Sequence, residues 1–178
     1  KARLLEPLSR IKVPVEPAAL VIGGGMAGMT AALDLANQGF EVHLVEKKEL
    51  LGGNLRNVHY LLDGEDPQAH LTKTVEQVES HQRIHLHLKS EVTEVGGYYG
   101  NFETQITDAS GVITVKHGVV IVATGAQERK PTEYLYGEGD NVLTQNELEA
   151  RLANGNGDIQ KLNSVVMIQC VGSREPDR

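Results

Sequence analysis

The residues best placed to do chemistry are glycines. Gly23 to Gly28 reads GGGMAG, so Gly23, Gly25 and Gly28 satisfy a G-x-G-x-x-G spacing. In that pattern the first glycine permits a tight turn, the second lets the backbone approach a pyrophosphate, and the third lets a helix pack closely on a strand. Amides at Met26 and Ala27 then face the phosphate from the positive end of a helix dipole. The acidic partner is Glu46, about 20 residues further on, where a carboxylate accepts from a ribose hydroxyl pair and repels a 2′-phosphate. A glycine-rich turn beside a surface glutamate is the bland alternative, and only the surrounding elements decide between them.

Those elements have the required order. Ala18 to Ile22 (AALVI) is a short apolar run without alternation, suited to a parallel strand buried on both faces. Met29 to Gln38 (MTAALDLANQ) has apolar residues at helical spacing before Gly39, so a helix opens inside the glycine run. Phe40 to Glu46 (FEVHLVE) is a second strand, completing a βαβ unit of about 30 residues with an expected right-handed crossover. Strand, glycine turn, helix, strand and acid together favour a dinucleotide site over a bare motif match.

The same fingerprint serves NAD and FAD, so further signals matter. Leu51 to Asn54 (LGGN) places a glycine pair just past the acidic strand, where backbone amides can meet the pyrophosphate of an extended dinucleotide. Alone it is also a plain tight turn. Ala123 to Ala126 (ATGA) ends another apolar run, Val119 to Ala123, in residues small enough for close approach to a ligand. Between these signals lie an irregular glycine-rich loop after Lys48, a short amphipathic helix over His70 to His81, and a strand at Ile84 to Leu88. Stretches at Glu91 to Val95, Phe102 to Thr107 and Val112 to Lys116, joined by GGYYGN and DASG, read as an antiparallel meander. Glu147 to Leu152 reads as part of a helix, Asn154 to Gly157 as a polar turn, and Ser164 to Cys170 (SVVMIQC) as a further strand.

The expected fold is therefore α/β: a Rossmann-like FAD-binding three-layer fold with a parallel sheet and a small antiparallel β-meander. Residues 1–17 read as the end of a lead-in helix and a linker, 18–126 as the dinucleotide-binding region, 127–163 as a connecting region, and 164–178 as a further strand, which the family resemblance given below would make the first strand of a truncated second nucleotide-binding domain.

Composition narrows the function. With 178 residues, 40% apolar and 23% charged, the chain has the make-up of a globular domain. Glycine alone is over-represented, at 19 residues against a usual ~7% of a chain. A net charge of −7 argues against nucleic acid and anionic membranes as partners. No apolar run reaches the ~18–20 residues of a spanning helix. Cys170 is the only cysteine, which excludes an internal disulfide and fits a reducing cytoplasm. It reads as a small buried hydrophobe rather than a reactive thiol. His85 and His87 share one strand face near His81, which allows a metal pair, although a solvated face is the simpler reading because no acidic or thiolate ligand has suitable local spacing. Tyr98 and Tyr99 belong to a hairpin tip. No Ser, His and Asp arrangement suggests a hydrolase, and no general acid or base is assigned.

Through VIGGGMAG, HLVEK, LGGN and VIVATGA the chain resembles the two-dinucleotide-binding flavoproteins. It is similar, more narrowly, to the A-type subunit family of heterodisulfide reductases, in ARLLEPL at Ala2 to Leu8, ALVIGGGMAGMTAALDLANQGFEVHLVEK from Ala19 to Lys47, GVVIVATGAQE from Gly118 to Glu128, and VVMIQCVGSR from Val165 to Arg174. The likeness runs almost end to end, and ARLLEPL and IQCVGSR discriminate best. The resemblance implies an FAD-containing electron-transfer component of a larger iron–sulfur complex, with other heterodisulfide reductase-type subunits and iron–sulfur electron carriers as partners. By position, Gly23, Gly25, Met26, Ala27 and Gly28 would hold the FAD pyrophosphate, Glu46 the adenosine ribose, and Lys47, Gly53, Asn54 and Leu55 would flank the cofactor. Val92 matches a position whose backbone meets the adenine, and Ala123, Thr124 and Gly125 lie where the chain leaves the flavin domain. The family's 4Fe–4S cysteines, its second nucleotide-binding domain and the segment completing the flavin site are not in these residues, so an excised piece of a longer protein is expected. An NAD-dependent dehydrogenase domain and a docking module without cofactor are the competing readings.

Overall fold

Three consecutive apolar residues set the layering. In the computed structural model, which describes residues 12–155 and 159–172, strand β1 (Ala18–Ile22) buries Ala19, Leu20 and Val21. Successive side chains on a strand point to opposite faces. Ala19 and Val21 accordingly join one apolar cluster, and Leu20 and Ile22 join another. A strand apolar on both faces must be covered on both.

The first face is covered by helices α1 (Met26–Asn37) and α2 (Pro67–Ser80). Gly28, Ala32 and Ala36 recur every fourth residue along the buried side of α1, so the helix axis comes close to the sheet. With Met29, Leu71 and Val78 they close over Ala19, Val21, Leu44 and Ile84. α1 ends where Gly39 takes φ +98°, with its amide donating to Ala36 O at 3.0 Å. α2 begins three residues before the expected His70. Asp66 Oδ1 accepts from Gln68 N at 2.8 Å and Pro67 occupies the first turn, a start signal that a loop reading of this stretch passes over.

The parallel sheet has the order β3 (Ile84–Leu88), β2 (Glu41–Glu46), β1 and β7 (Val119–Val122). Its second face carries the meander, β4 (Glu91–Tyr98), β5 (Asn101–Asp108) and β6 (Gly111–His117), in antiparallel register. Ile106 and Val115 from the meander pack on Leu20 and Val45. His117 is fully buried here and ties the layers: Nε2 lies 2.7 Å from Thr104 Oγ1 and Nδ1 lies 3.1 Å from Val119 O. A carbonyl only accepts, so Nδ1 carries the proton and the threonine hydroxyl donates to Nε2.

Three expectations need correction. Val119 to Ala123 is not buried throughout, because β7 has a strand neighbour only on the β1 side among the described residues, leaving Val122 70% exposed. Ser164 to Cys170 forms no strand: it pairs with no strand among the described residues, and a strand exists only through its ladder. Val165, Val166, Met167 and Ile168 are exposed, and Cys170 is exposed with φ +57° rather than buried. The lead-in helix end at Lys1 to Ser9 lies outside the described residues, as does the end of the Asn154 to Gly157 turn. Residues 12–17 belong to no helix or strand. A further helix, α3 (Gln145–Ala153), starts with a capping box in which Thr144 and Glu147 satisfy each other's amides.

Candidate dinucleotide-binding site

Parallel strands bring their carboxyl ends to one edge of the sheet, and there the three glycine signals meet. Gly23 follows β1 with φ +111°, which an L side chain rarely adopts, and its amide donates to Val45 O at 2.8 Å. Ala123 N donates to Ile22 O at 2.8 Å, carrying the β7 chain alongside the same turn. A Cβ on Gly28 would overlap Gly23 O and touch Ala123 Cβ. The third glycine thus admits the loop itself, as well as the neighbouring strand end, against the helix.

Gly25 differs from its neighbours. Its φ of −76° suits any residue, and a Cβ placed there meets nothing within 4 Å. The protein's own packing does not require glycine at this position. Gly25 is also the N-cap of α1, where no side chain caps the helix and the first turn carries no acidic residue. The first amides of a helix have no intrahelical acceptor, so they face this open space at the positive end of the dipole. An anionic group approaching backbone fits that space, and a pyrophosphate is such a group.

The LGGN turn forms the opposite wall. Gly52 N donates to Gly24 O at 2.7 Å in a parallel bridge between Gly25 and Gly52, and a Cβ on Gly53 would lie 3.1 Å from Gly25 Cα. A short 3₁₀ turn, Gly53–Asn57, follows, and Gln68 Nε2 secures it by donating to Leu55 O at 2.9 Å and Val58 O at 2.5 Å. Glu46 stands at the third side. Its Oε2 accepts from Gly24 N at 2.7 Å and its Oε1 from Lys48 N at 2.8 Å, in an almost fully buried setting. A carboxylate offers about four lone-pair sites, so capacity remains for ribose hydroxyls.

The expected residues fall into two groups. Gly23, Gly25, Met26, Ala27, Gly28, Glu46, Gly53, Ala123 and the exposed Thr124 and Gly125 gather at the sheet's carboxyl edge, with Lys47 exposed beside Glu46. Asn54 is exposed, while Leu55 turns back onto the apolar cluster beneath. Val92 lies on β4 with its side chain in the second cluster. The start of β4 is held near Glu46 by Ser90 N to Glu46 O at 3.1 Å and Lys89 N to Lys48 O at 3.0 Å. Sequence spacing misses Gly24, Lys48 and Gln68, whose contributions are hydrogen bonds across distant segments.

The histidines do something else. His43, which no local spacing groups with the others, sits opposite His85 in the β2–β3 register, and its Nδ1 lies 3.1 Å from His87 Nε2. The two rings lie 24° from parallel with centroids 5.4 Å apart. One ring must donate and the other accept, which uses the lone pair a metal would take. His85 is engaged instead with Glu41 at 2.9 Å, and no group of three or more potential ligands among the described residues could hold a metal ion.

A parallel sheet with glycine loops at its carboxyl edge, an uncapped helix N-terminus and a meander on the second face defines a Rossmann-like dinucleotide-binding fold of the oxidoreductase type. The chain belongs to the pyridine nucleotide-disulphide oxidoreductase family, whose pattern matches residues 17–168. It is 31% identical to an iron-sulfur subunit of the CoB–CoM heterodisulfide reductase of Methanopyrus kandleri, across 100% of this chain and 41% of that protein. It is 44% identical to a heterodisulfide reductase A-type protein of Archaeoglobus profundus, across 60% of this chain and 15% of that one. The chain thus spans about two-fifths of the length of the first of these relatives. Among solved structures, L-proline dehydrogenase from P. horikoshii superposes with a TM-score of 0.54 at 25% identity, covering 64% of this chain and 23% of that one. An oxidoreductase from Agrobacterium tumefaciens gives 0.50 at 27%, covering 67% and 39%. Thioredoxin reductase from T. acidophilum shares the fold, with a TM-score of 0.51 at 20% identity over 62% of this chain and 36% of that one. Among the described residues no helix is long and apolar enough to cross a membrane.

Proposed function

We propose that this chain is the FAD-binding portion of a flavin-dependent oxidoreductase of the heterodisulfide reductase A-type, an electron-transfer component serving iron–sulfur partners and a disulfide or other acceptor. The observation that carries the reading is Gly25, open on its Cβ side at an uncapped helix N-terminus and walled by the Gly52–Gly53 turn. In this reading the backbone around Gly25, Met26 and Ala27 binds the pyrophosphate, and Glu46 orients the adenosine ribose while fixing the glycine loop through Gly24. Gly53 and Asn54 close the cofactor's second side, and Ala123, Thr124 and Gly125 bring uncrowded backbone to the same edge. Val92 supports the adenine end from β4.

Bound FAD supplies the hydride and one-electron chemistry that protein side chains lack. This chain's share is to position that group and to present fixed dipoles to it. Support for iron–sulfur partners comes from the relatives' own names, which include an iron-sulfur subunit of CoB–CoM heterodisulfide reductase and a component of an H(2):CoB-CoM heterodisulfide,ferredoxin reductase. A 4Fe–4S cluster takes four cysteine thiolates, and these 178 residues contain one cysteine, so at least three ligands of such a cluster would come from other residues.

The test is the absorbance spectrum of the purified full-length protein, followed by release and identification of the chromophore. The proposal expects FAD at close to one per chain. A protein that neither carries flavin nor takes up added FAD, yet binds NADH tightly, overturns it in favour of a nicotinamide-dependent dehydrogenase.

A further inference from the structure

α3 spans the interval between the two glycine walls, and its polar side chains reach toward both. On one side it is tied to the segment that follows Gly125. Glu128 Oε1 accepts from Asn146 N at 3.0 Å, and Glu147 Oε1 accepts from Lys130 Nζ and from Tyr136 OH, each at 2.6 Å. On the other side it is tied to the loop that follows the Gly53–Asn57 turn. Glu149 Oε1 accepts from His59 N at 2.6 Å and from Tyr60 N at 3.1 Å, across some 90 residues of sequence. Asn146 Nδ2 also faces Asn54 Oδ1 at 3.5 Å.

We infer that Glu149 is a positioning residue for the cofactor, holding the Gly53–Asn57 turn against Gly25 by gathering the His59 and Tyr60 amides; this rests on the FAD reading. The turn begins at the Gly25–Gly52 bridge, so its first residues are anchored by the glycine loop. Its far end leads into a stretch without regular structure, residues 58–66. A single carboxylate oxygen that accepts two consecutive amides is a charge-assisted contact, roughly twice as strong as a neutral one. Ordering the wall before the ligand arrives removes an entropy cost from binding. Because the same helix grips Glu128 through Asn146, α3 also couples the Gly53 wall to the segment beyond Gly125.

The experiment is FAD titration of the deflavinated full-length protein, wild type against Glu149→Ala and Glu149→Gln, with melting of each apoprotein and holoprotein. Gln keeps an oxygen acceptor at the same reach, whereas Ala removes it. We expect E149A to raise the FAD Kd about tenfold, E149Q to stay within about threefold of wild type, and the apoproteins to melt in the same order, E149A lowest and E149Q near wild type. E149A binding FAD as tightly as wild type overturns the inference, and so does an equal loss in both variants with lowered apoprotein melting. A wild-type protein that takes up no FAD overturns the cofactor reading itself, and this inference with it.

Discussion

The amide of Gly24 donates to Glu46 Oε2 at 2.7 Å, so the carboxylate that closes the second strand also pins the middle of the glycine loop. Gly24 is itself buried, and Lys48 N occupies the other carboxylate oxygen at 2.8 Å. Glu46 therefore stabilises the glycine loop, and in the proposed reading it has a second duty at the ribose of a bound dinucleotide.

Glu46→Ala strands the buried Gly24 amide, and an unsatisfied buried donor costs ~1–3 kcal/mol. Urea unfolding of the apoprotein should show that loss, with Glu46→Gln falling between alanine and wild type because one oxygen survives. An alanine variant as stable as wild type would show that the Gly24 contact carries no weight in the folded state.

Acid should weaken the sheet face that carries the histidines. Burial, together with His87, His85 and His117 as neighbours of the same charge, pushes the His43 imidazole down to about 4, against the pull of Glu41. Burial lowers His87, which faces His85 and Asp108, and it lowers His117 as well. An unfolded imidazole takes its proton near ~6.5. The unfolded chain thus binds more protons than the folded one below that point, and stability falls as pH drops from about 6.5 toward 4. Glu147 acts in a different window: Lys130, Tyr136 and the Thr144 amide hold its carboxyl at about 2, so its contribution is lost only below the ordinary carboxylate range. The urea midpoint should be lower at about pH 5 than at about pH 7.5, and His43→Asn should flatten the difference. Equal midpoints at the two pH values would contradict this account.

What is legible in the sequence follows the reach of each signal. The glycine loop, α1 and the first two strands are readable because their signals are local: an apolar run, a fixed glycine spacing, an acid at the strand end. The start of α2 escapes because Asp66 and Pro67 look like turn residues until the helix behind them is seen. Ser164 to Cys170 has strand composition, yet composition supplies no partner. The bonds of Glu46 to Gly24, Gln68 to Val58 and Glu149 to His59 join segments that no periodicity connects. His43 stays apart from His85 and His87 in the sequence because only the parallel register of β2 and β3 sets them side by side.

In the proposed reading the space beside Gly25 exists for a ligand. Gly25→Ala and Gly28→Ala, in the same full-length protein, separate ligand space from packing space. A methyl at Gly28 overlaps Gly23 O, and such overpacking costs ~1–3 kcal/mol of stability before any ligand is present. A methyl at Gly25 meets nothing within 4 Å. Measured by melting and by FAD titration, Gly25→Ala should leave the apoprotein's melting temperature at the wild-type value and raise the FAD Kd at least about tenfold, a loss of ~1.4 kcal/mol. A Gly25→Ala protein that binds FAD as tightly as wild type, or that loses apoprotein stability as Gly28→Ala does, would contradict it.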